Sequence, residues 1–404
     1  MTDQILRSIA AQHGTPTYVY DLDVVTSRLE RVRRAFSGFD VHYAVKANAL
    51  GALLVHLREL GTGAEALTVG ELERALRAGF EPQRVILGGP GHTPSLVQQA
   101  LTSGVRLVSL DSLSAWALWR DTGGPETRFL IRLNPAFDPH THQHLATAAA
   151  DSKFGVPPAQ ALELATTIQA RGQLAGFHVH AGSMLADPAV AELVVAALEP
   201  LYRRFSDLEL VDFGGGFAVP DVDLEAFAEP LRAFTARHRL RALIEPGRFL
   251  VAEAGVLLTT VLHEKYGGPR DHLIADAGMA DLIRPALYDA EHPLRVVAAE
   301  PLSVAAGSGS EAGSVSDTDD GLGRPLDVDG PLCENADRLA RDSELGRQPA
   351  GTLLAVEAAG AYGYAMASNY VSSLRPAQVV VRDGRARLAS RREVPADLWR
   401  LEEI

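Results

Sequence analysis

Short, mostly apolar runs recur along the first 250 residues, each followed by a glycine, a polar cluster or both. Eight can be placed, at 41–45, 64–67, 85–87, 107–110, 129–133, 175–179, 208–213 and 242–244. Between them lie stretches with helical spacing, such as Leu53, Leu54, Leu57 and Leu60 ahead of Gly61, and Leu72, Ala75, Leu76 and Ala78 in GELERALRAG. Strand alternating with helix predicts parallel strands. Eight such units in about 220 residues match the count of a (β/α)8, TIM-like barrel. A doubly wound open sheet is the alternative, though it more often stops at five to seven strands.

The rhythm changes near residue 250. Runs at 256–262, 273–275, 294–297, 353–356, 379–381 and 386–388 have few helical stretches between them. They predict a C-terminal, mainly antiparallel β domain, a β-barrel or sandwich. The segment 17–20, in TPTYVYD, can add a strand to it. The expected division is a barrel over 25–250 and a β domain from 1–24 plus 251–404. The stretch 305–323 is rich in Gly, Ser and Asp and reads as a flexible surface loop.

Composition narrows the class. A chain of 404 residues, 47% hydrophobic and 22% charged, is globular and long enough for two cores. A net charge of −13 argues against a nucleic-acid surface. No apolar stretch has membrane-spanning length, and MTDQILRSIAAQHG lacks the apolar core of a signal peptide. The single cysteine, Cys333, rules out an intramolecular disulfide and fits a reducing cytoplasm. His140, His142 and His144 follow a strand end among prolines without a matching carboxylate set, so a loop is expected there and no metal.

Of 38 basic side chains only three are lysines, Lys46, Lys153 and Lys265. Wherever a plain positive charge would do, this chain uses arginine. Lys46 ends the first predicted barrel strand, VHYAVKAN, in line with His42 and the small Ala44. Barrel active sites lie at that end of the strands. A lysine merely snorkelling from a strand end is the plain alternative. A partly buried amine at the rim is instead the setting of a Schiff-base lysine, because desolvation favours its neutral form. Lys153 reads as structural or at the barrel mouth, and Lys265 as a surface or strand-end residue.

The seventh run leads straight into Gly214, Gly215 and Gly216, whose backbone N–H groups could cradle an anion. The eighth ends in Glu245, Pro246, Gly247 and Arg248. Loops after strands seven and eight often hold phosphate in such barrels. An amine, a phosphate cradle and a buried-looking carboxylate together describe a pyridoxal 5'-phosphate site. There Glu245 would pair with the ring nitrogen and keep it protonated.

These residues carry a resemblance. With YAVKAN, IRLNPAFDPHTH, DSKFG, GFHVHAGS, FGGGF, EPGR, DAGMADLIRPALYDA, GPLCENAD and GAYGYAMASNY, the chain resembles the barrel-type pyridoxal-phosphate-dependent decarboxylases of alanine-racemase-like fold. Within them it is most similar to the diaminopimelate decarboxylase group, over nearly its whole length apart from the Ser/Gly-rich loop. The resemblance implies that Lys46 carries the cofactor and His180 stacks on its ring. Ser183, Gly216, Gly247 and Tyr362 would complete the phosphate site, Glu245 would meet the ring nitrogen, and Arg132 would sit near the phenolic oxygen. Arg248, Arg284 and Tyr288 would hold a substrate carboxylate, with Tyr362 beside them. Cys333, as proton donor, and Glu334, at the far end of the substrate, would reach in from the other subunit of a homodimer.

The implied reaction is decarboxylation of meso-2,6-diaminopimelate to L-lysine and CO2. Departures from the group's pattern fall at Asn335 (CENAD), Val371, Phe249, Met184 and GGPGHT. They cluster near substrate-facing positions. A sister decarboxylase of another amino acid, such as ornithine, arginine or lysine, is therefore the first alternative. A racemase-like isomerase and a non-catalytic pyridoxal-phosphate-binding protein are the others.

Overall fold

The computed structural model describes residues 1–137, 152–298 and 324–403. The histidine run at 140–144 and the loop at 305–323 lie outside the described residues. The chain divides into two compact units, one of residues 22–254 with 360–365, the other of 1–21, 255–359 and 366–404.

The first strand, β1 (Thr17–Asp21), belongs to the second unit. The next eight are β2 (Asp40–Ala44), β3 (Gly63–Ala66), β4 (Val85–Leu87), β5 (Leu107–Leu110), β6 (Arg128–Arg132), β7 (Leu174–His178), β8 (Leu210–Asp212) and β9 (Arg241–Ile244). They pair in parallel in sequence order, and β9 closes on β2 through Asp40 opposite Leu243. All eight apolar runs of the sequence are barrel strands. Four of the intervening helices begin where a polar side chain satisfies an orphan N–H: Thr68, Thr93, Ser112 and Asp223 each accept from the backbone three residues on.

Inside the barrel one layer is apolar, built from Ile86, Leu130, Ala175, Leu210 and Leu243. Towards the C-terminal strand ends the buried set turns polar, with Glu65, Ser109, Asp111, His178, Asp212 and Glu245. The change of layer puts the barrel's chemistry at one end.

Among the described residues the second unit forms a nine-stranded, mainly antiparallel sheet. It adds β10 (Gly255–Lys265), β11 (Asp271–Ala275), β12 (Leu294–Val296), β13 (Leu326–Asp329), β14 (Arg338–Ala340), β15 (Leu353–Val356), β16 (Ala377–Arg382) and β17 (Arg385–Ser390). The main path runs β14-β13-β11-β10-β1-β16-β17, with β15 pairing both β10 and β12. The β1–β16 and β11–β13 pairs are parallel. β13 and β14 are strands that the hydrophobic pattern does not predict.

The helix Asp3–His13 covers one face of this sheet. Leu6 and Ile9 pack on Val19, Val256, Leu258, Val379 and Val381. Burying those two side chains is worth about 3–6 kcal/mol as an upper figure. Among the described residues no helix is long and apolar enough to cross a membrane.

Candidate active site

β2 ends at Ala44, and the chain turns through a short 3-10 segment, Val45–Ala47. Lys46 therefore sits just past the strand rather than on it. Its Nζ lies 3.3 Å from Glu65 Oε2 and 3.5 Å from Oε1, with Glu65 buried on β3. Burial pulls the amine's pKa down, but Glu65, Tyr362 and Glu245 outweigh it and hold the pKa above the ordinary lysine value. Desolvation does favour the neutral amine, but a carboxylate 3.3 Å away outweighs it and keeps the proton on Nζ.

The glycines after β8 fold back against His180 and the β9 end. Gly214 N donates to Asp212 Oδ1 (2.9 Å), and Glu245 N donates to Gly214 O (2.7 Å). Gly215 N donates to His180 Nδ1 at 3.1 Å. That bond requires an unprotonated Nδ1. Burial, then Arg132 and Lys46, hold the His180 pKa well below its ordinary value, so the imidazole is neutral. Gly216 has φ +97°, and a Cβ there would stand 2.0 Å from Gly182 O. A Cβ on Gly247 would stand 3.1 Å from the methyls of Ala44 and Ala47. At both positions neighbouring protein atoms already fill the place a side chain would take.

Glu245, at the end of β9, is buried among acids. Burial, Asp212 and Glu65 push its pKa well above the usual carboxylate range. Burial likewise raises Asp212, to about 6. Glu245 Oε1 and His178 Nε2 have no hydrogen-bond partner among the described residues, and the ring nitrogen lies 3.6 Å from Glu245 Oε2. Ser109 Oγ fixes His178 through Nδ1 at 2.8 Å. Such orphaned buried atoms call for a partner. Ligand atoms of His178, Asp212 and Glu245 also lie within 4.8 Å of one another, a grouping that could hold a cation.

Lys46, His180, Ser183, Gly216, Glu245, Gly247, Arg248 and Tyr362 line one pocket, together with Ala44, Phe217 and Phe249. Tyr362 comes from the segment 360–365, which belongs to the barrel unit. Tyr362 N donates to Ala47 O (2.8 Å), Asn48 Nδ2 to Gly360 O (3.0 Å), and the Arg248 guanidinium lies 4.7 Å over the Tyr362 ring. Arg132 ends β6 and pairs with buried Asp111 at 3.3 Å. Gly214 and Gly215 back the pocket through their bonds to Glu245 and His180.

The remaining predicted residues belong to the sheet unit. Arg284 and Tyr288 bracket a short helix, with the guanidinium 5.9 Å from the ring, and Tyr288 is exposed. Cys333 is an exposed free thiol, and Tyr370 Oη reaches Glu334 Oε2 at 3.5 Å. Among the departures, Phe249 is a buried packing residue under Arg28 and Arg31, at 5.0 and 5.5 Å from its ring centre. Asn335 and Val371 are exposed in the sheet unit. Lys153 lies 5.2 Å from the Phe154 ring, and Lys265 is exposed at the end of β10.

Glu65, Asp111, His178 and Asp212 are site residues that the motifs did not single out. Their signal was a charged or imidazole side chain within or at the end of an otherwise apolar parallel strand, as in GAEA and LVD.

A barrel with a strand-end lysine, a glycine cradle and an unpartnered carboxylate defines a class, and residues 22–252 match the family described as "Pyridoxal-dependent decarboxylase, pyridoxal binding domain". Diaminopimelate decarboxylase of Deinococcus radiodurans is 37% identical over 403 residues, covering 98% of both chains. That of Zymomonas mobilis is 34% identical over 419 residues, covering 98% of this chain and 95% of its own. The crystal structure of Helicobacter pylori diaminopimelate decarboxylase complexed with L-lysine is similar with a TM-score of 0.85 at 32% identity, over 98% of this chain and 99% of that one. The chain belongs to the diaminopimelate decarboxylase family of pyridoxal-dependent decarboxylases.

Proposed function

We propose that this protein uses pyridoxal 5'-phosphate to convert meso-2,6-diaminopimelate, with one proton, into L-lysine and CO2. The observation that carries the reading is the meeting in one barrel mouth of an amine, two close-packed glycines and a buried carboxylate with one unpartnered oxygen, Lys46, Gly216 with Gly247, and Glu245. The residues fit the cofactor: Lys46, Ser183, Gly216, Gly247 and Tyr362 line one pocket, and Glu245 Oε1 in the same lining lacks the partner that a ring N–H would supply.

Lys46 would hold the cofactor through its amine, and Gly216, Gly247, Ser183 and Tyr362 would receive the phosphate. Neutral His180 would lie against the ring, and Arg132 near its phenolic oxygen. When bound, the cofactor supplies an electron sink for the pair released as CO2 departs. Lys46 must lose its proton before it can act as a nucleophile, and in the free site Glu65 Oε2 at 3.3 Å holds that proton on Nζ. Arg248, Arg284, Tyr288 and Tyr362 would hold a substrate carboxylate. In a homodimer, Cys333 of the partner subunit would return a proton to carbon, and Glu334 of the partner subunit would bind the distant ammonium. A cytoplasmic setting keeps that cysteine a thiol.

The family supports the substrate, since the curated relatives act as diaminopimelate decarboxylases and the Helicobacter enzyme binds L-lysine. A panel of meso-diaminopimelate, ornithine, arginine and lysine tests it. Turnover of meso-diaminopimelate above the others is expected. Turnover of ornithine or arginine with none of diaminopimelate would replace it with the sister-decarboxylase reading.

A further inference from the structure

We propose that Asp337 is a positioning residue that ties together the two loops of the sheet unit assigned above to substrate. The proposal rests on that assignment of Arg284, Tyr288, Cys333 and Glu334. Asp337 is 3% exposed, and its two carboxylate oxygens serve two different loops. Oδ1 accepts from Met279 N at 2.5 Å, and Oδ2 accepts from Leu332 N at 2.6 Å. The first loop is the turn in which Asp281 N and Leu282 N both donate to Gly278 O, at 3.0 and 2.9 Å. It runs directly into the helix Arg284–Tyr288. The second loop carries Cys333 and Glu334 immediately after Leu332.

Asp337 also closes that second loop through its own backbone. Its N–H donates to Glu334 O at 3.0 Å, and Gly330 N donates to its carbonyl at 2.8 Å. Glu334's side-chain contacts are long by comparison, 3.4 Å from Ala336 N and 3.5 Å from Tyr370 Oη. The carboxylate occupies the space that side chains at positions 278 and 330 would need. A Cβ on Gly278 would lie 2.1 Å from Asp337 Oδ1, and one on Gly330 2.3 Å. Neither glycine has a positive φ, so the carboxylate, not the backbone, forbids the side chain. Because both oxygens accept N–H bonds at once, an amide cannot replace the acid: its NH2 would face an N–H donor.

Cys333 is the chain's single thiol, so its reaction with a disulfide reagent reports on one loop. The test uses full-length holoenzyme and compares wild type, Asp337→Asn and Gly330→Ala. It follows kcat and KM for meso-diaminopimelate, the labelling rate of Cys333 with and without L-lysine, and the cofactor's absorbance. In wild type, L-lysine is expected to slow labelling. In Asp337→Asn, kcat/KM should fall at least about 10-fold and the protection should vanish, while cofactor absorbance stays. Gly330→Ala leaves the acid intact but displaces it, and should reproduce both losses. It also carries the test if the Asn variant fails to fold.

A merely structural Asp337 would lower the melting temperature without moving KM or lysine protection. Wild-type KM and intact protection in both variants would therefore overturn the proposal. Absence of lysine protection in wild type, together with full activity of Cys333→Ala, would instead remove the assignment of the Cys333 loop to substrate, and the proposal with it.

Discussion

Replacing Gly216 by alanine tests the cradle at its tightest point. The new Cβ would stand 2.0 Å from Gly182 O, where a normal contact is about 3.2 Å, so one backbone must retreat by about 1 Å. The φ of +97° adds about 1–2 kcal/mol of backbone strain for a residue with a Cβ. The retreat would pull apart the Leu185 N–Gly216 O bond, 2.9 Å, and move the segment bearing Ser183. A misplacement of this size costs positioned groups about 100-fold, or about 3 kcal/mol. Titrating apoprotein with pyridoxal phosphate, followed by absorbance, should show that loss of affinity. Gly51→Ala is the control, because a Cβ there meets nothing within 4 Å. Binding by Gly216→Ala within about 3-fold of wild type would refute the cradle, since the predicted displacement is worth about 100-fold.

Three further predictions address the lysine, a buried acid and a departure from the family pattern. Borohydride reduction followed by peptide mass analysis should attach the cofactor's mass to the Lys46 peptide in wild type and not in Lys46→Arg, because arginine stays protonated. Asp281 is 7% exposed, and burial pushes its pKa up to about 7 from 3.8. Its protonated form favours the folded state, so stability from this group is full below about pH 4 and is lost as pH rises through about 7. Denaturant unfolding should show Asp281→Asn gaining up to about 4 kcal/mol on wild type at pH 8 and little at pH 4; equal pH slopes would contradict this. Phe249→Ala should cost about 3–5 kcal/mol of stability in denaturant unfolding by emptying the space under Arg28 and Arg31. A cost below about 1 kcal/mol would contradict that packing role.

Much of this architecture was legible because burial and pattern coincide. The eight barrel strands are mostly apolar, since both faces of a closed, helix-covered sheet are shielded. β13 was hidden for the opposite reason. In Leu326–Asp329 the acid Asp327 is fully buried by pairing with Arg270 at 2.7 Å and Arg338 at 3.2 Å, so burial leaves no apolar signature. The same blindness applies inside the barrel. The glycines and Lys46 announce themselves by residue type and strand-end position, whereas Glu65 and Asp212 look like ordinary acids until the fold closes around them. The net charge state of Lys46 is hidden for the same reason, because the carboxylate that outweighs its desolvation comes from the neighbouring strand, not from YAVKAN.

The most direct test of the central claim is the reaction of purified holoenzyme with meso-diaminopimelate in D2O, with CO2 and product both measured. One CO2 should be released for each L-lysine formed, and the lysine should carry a single deuterium on the carbon that lost the carboxylate. Deuterium exchange or epimerisation of diaminopimelate without CO2 would contradict decarboxylation and favour an isomerase on the same barrel.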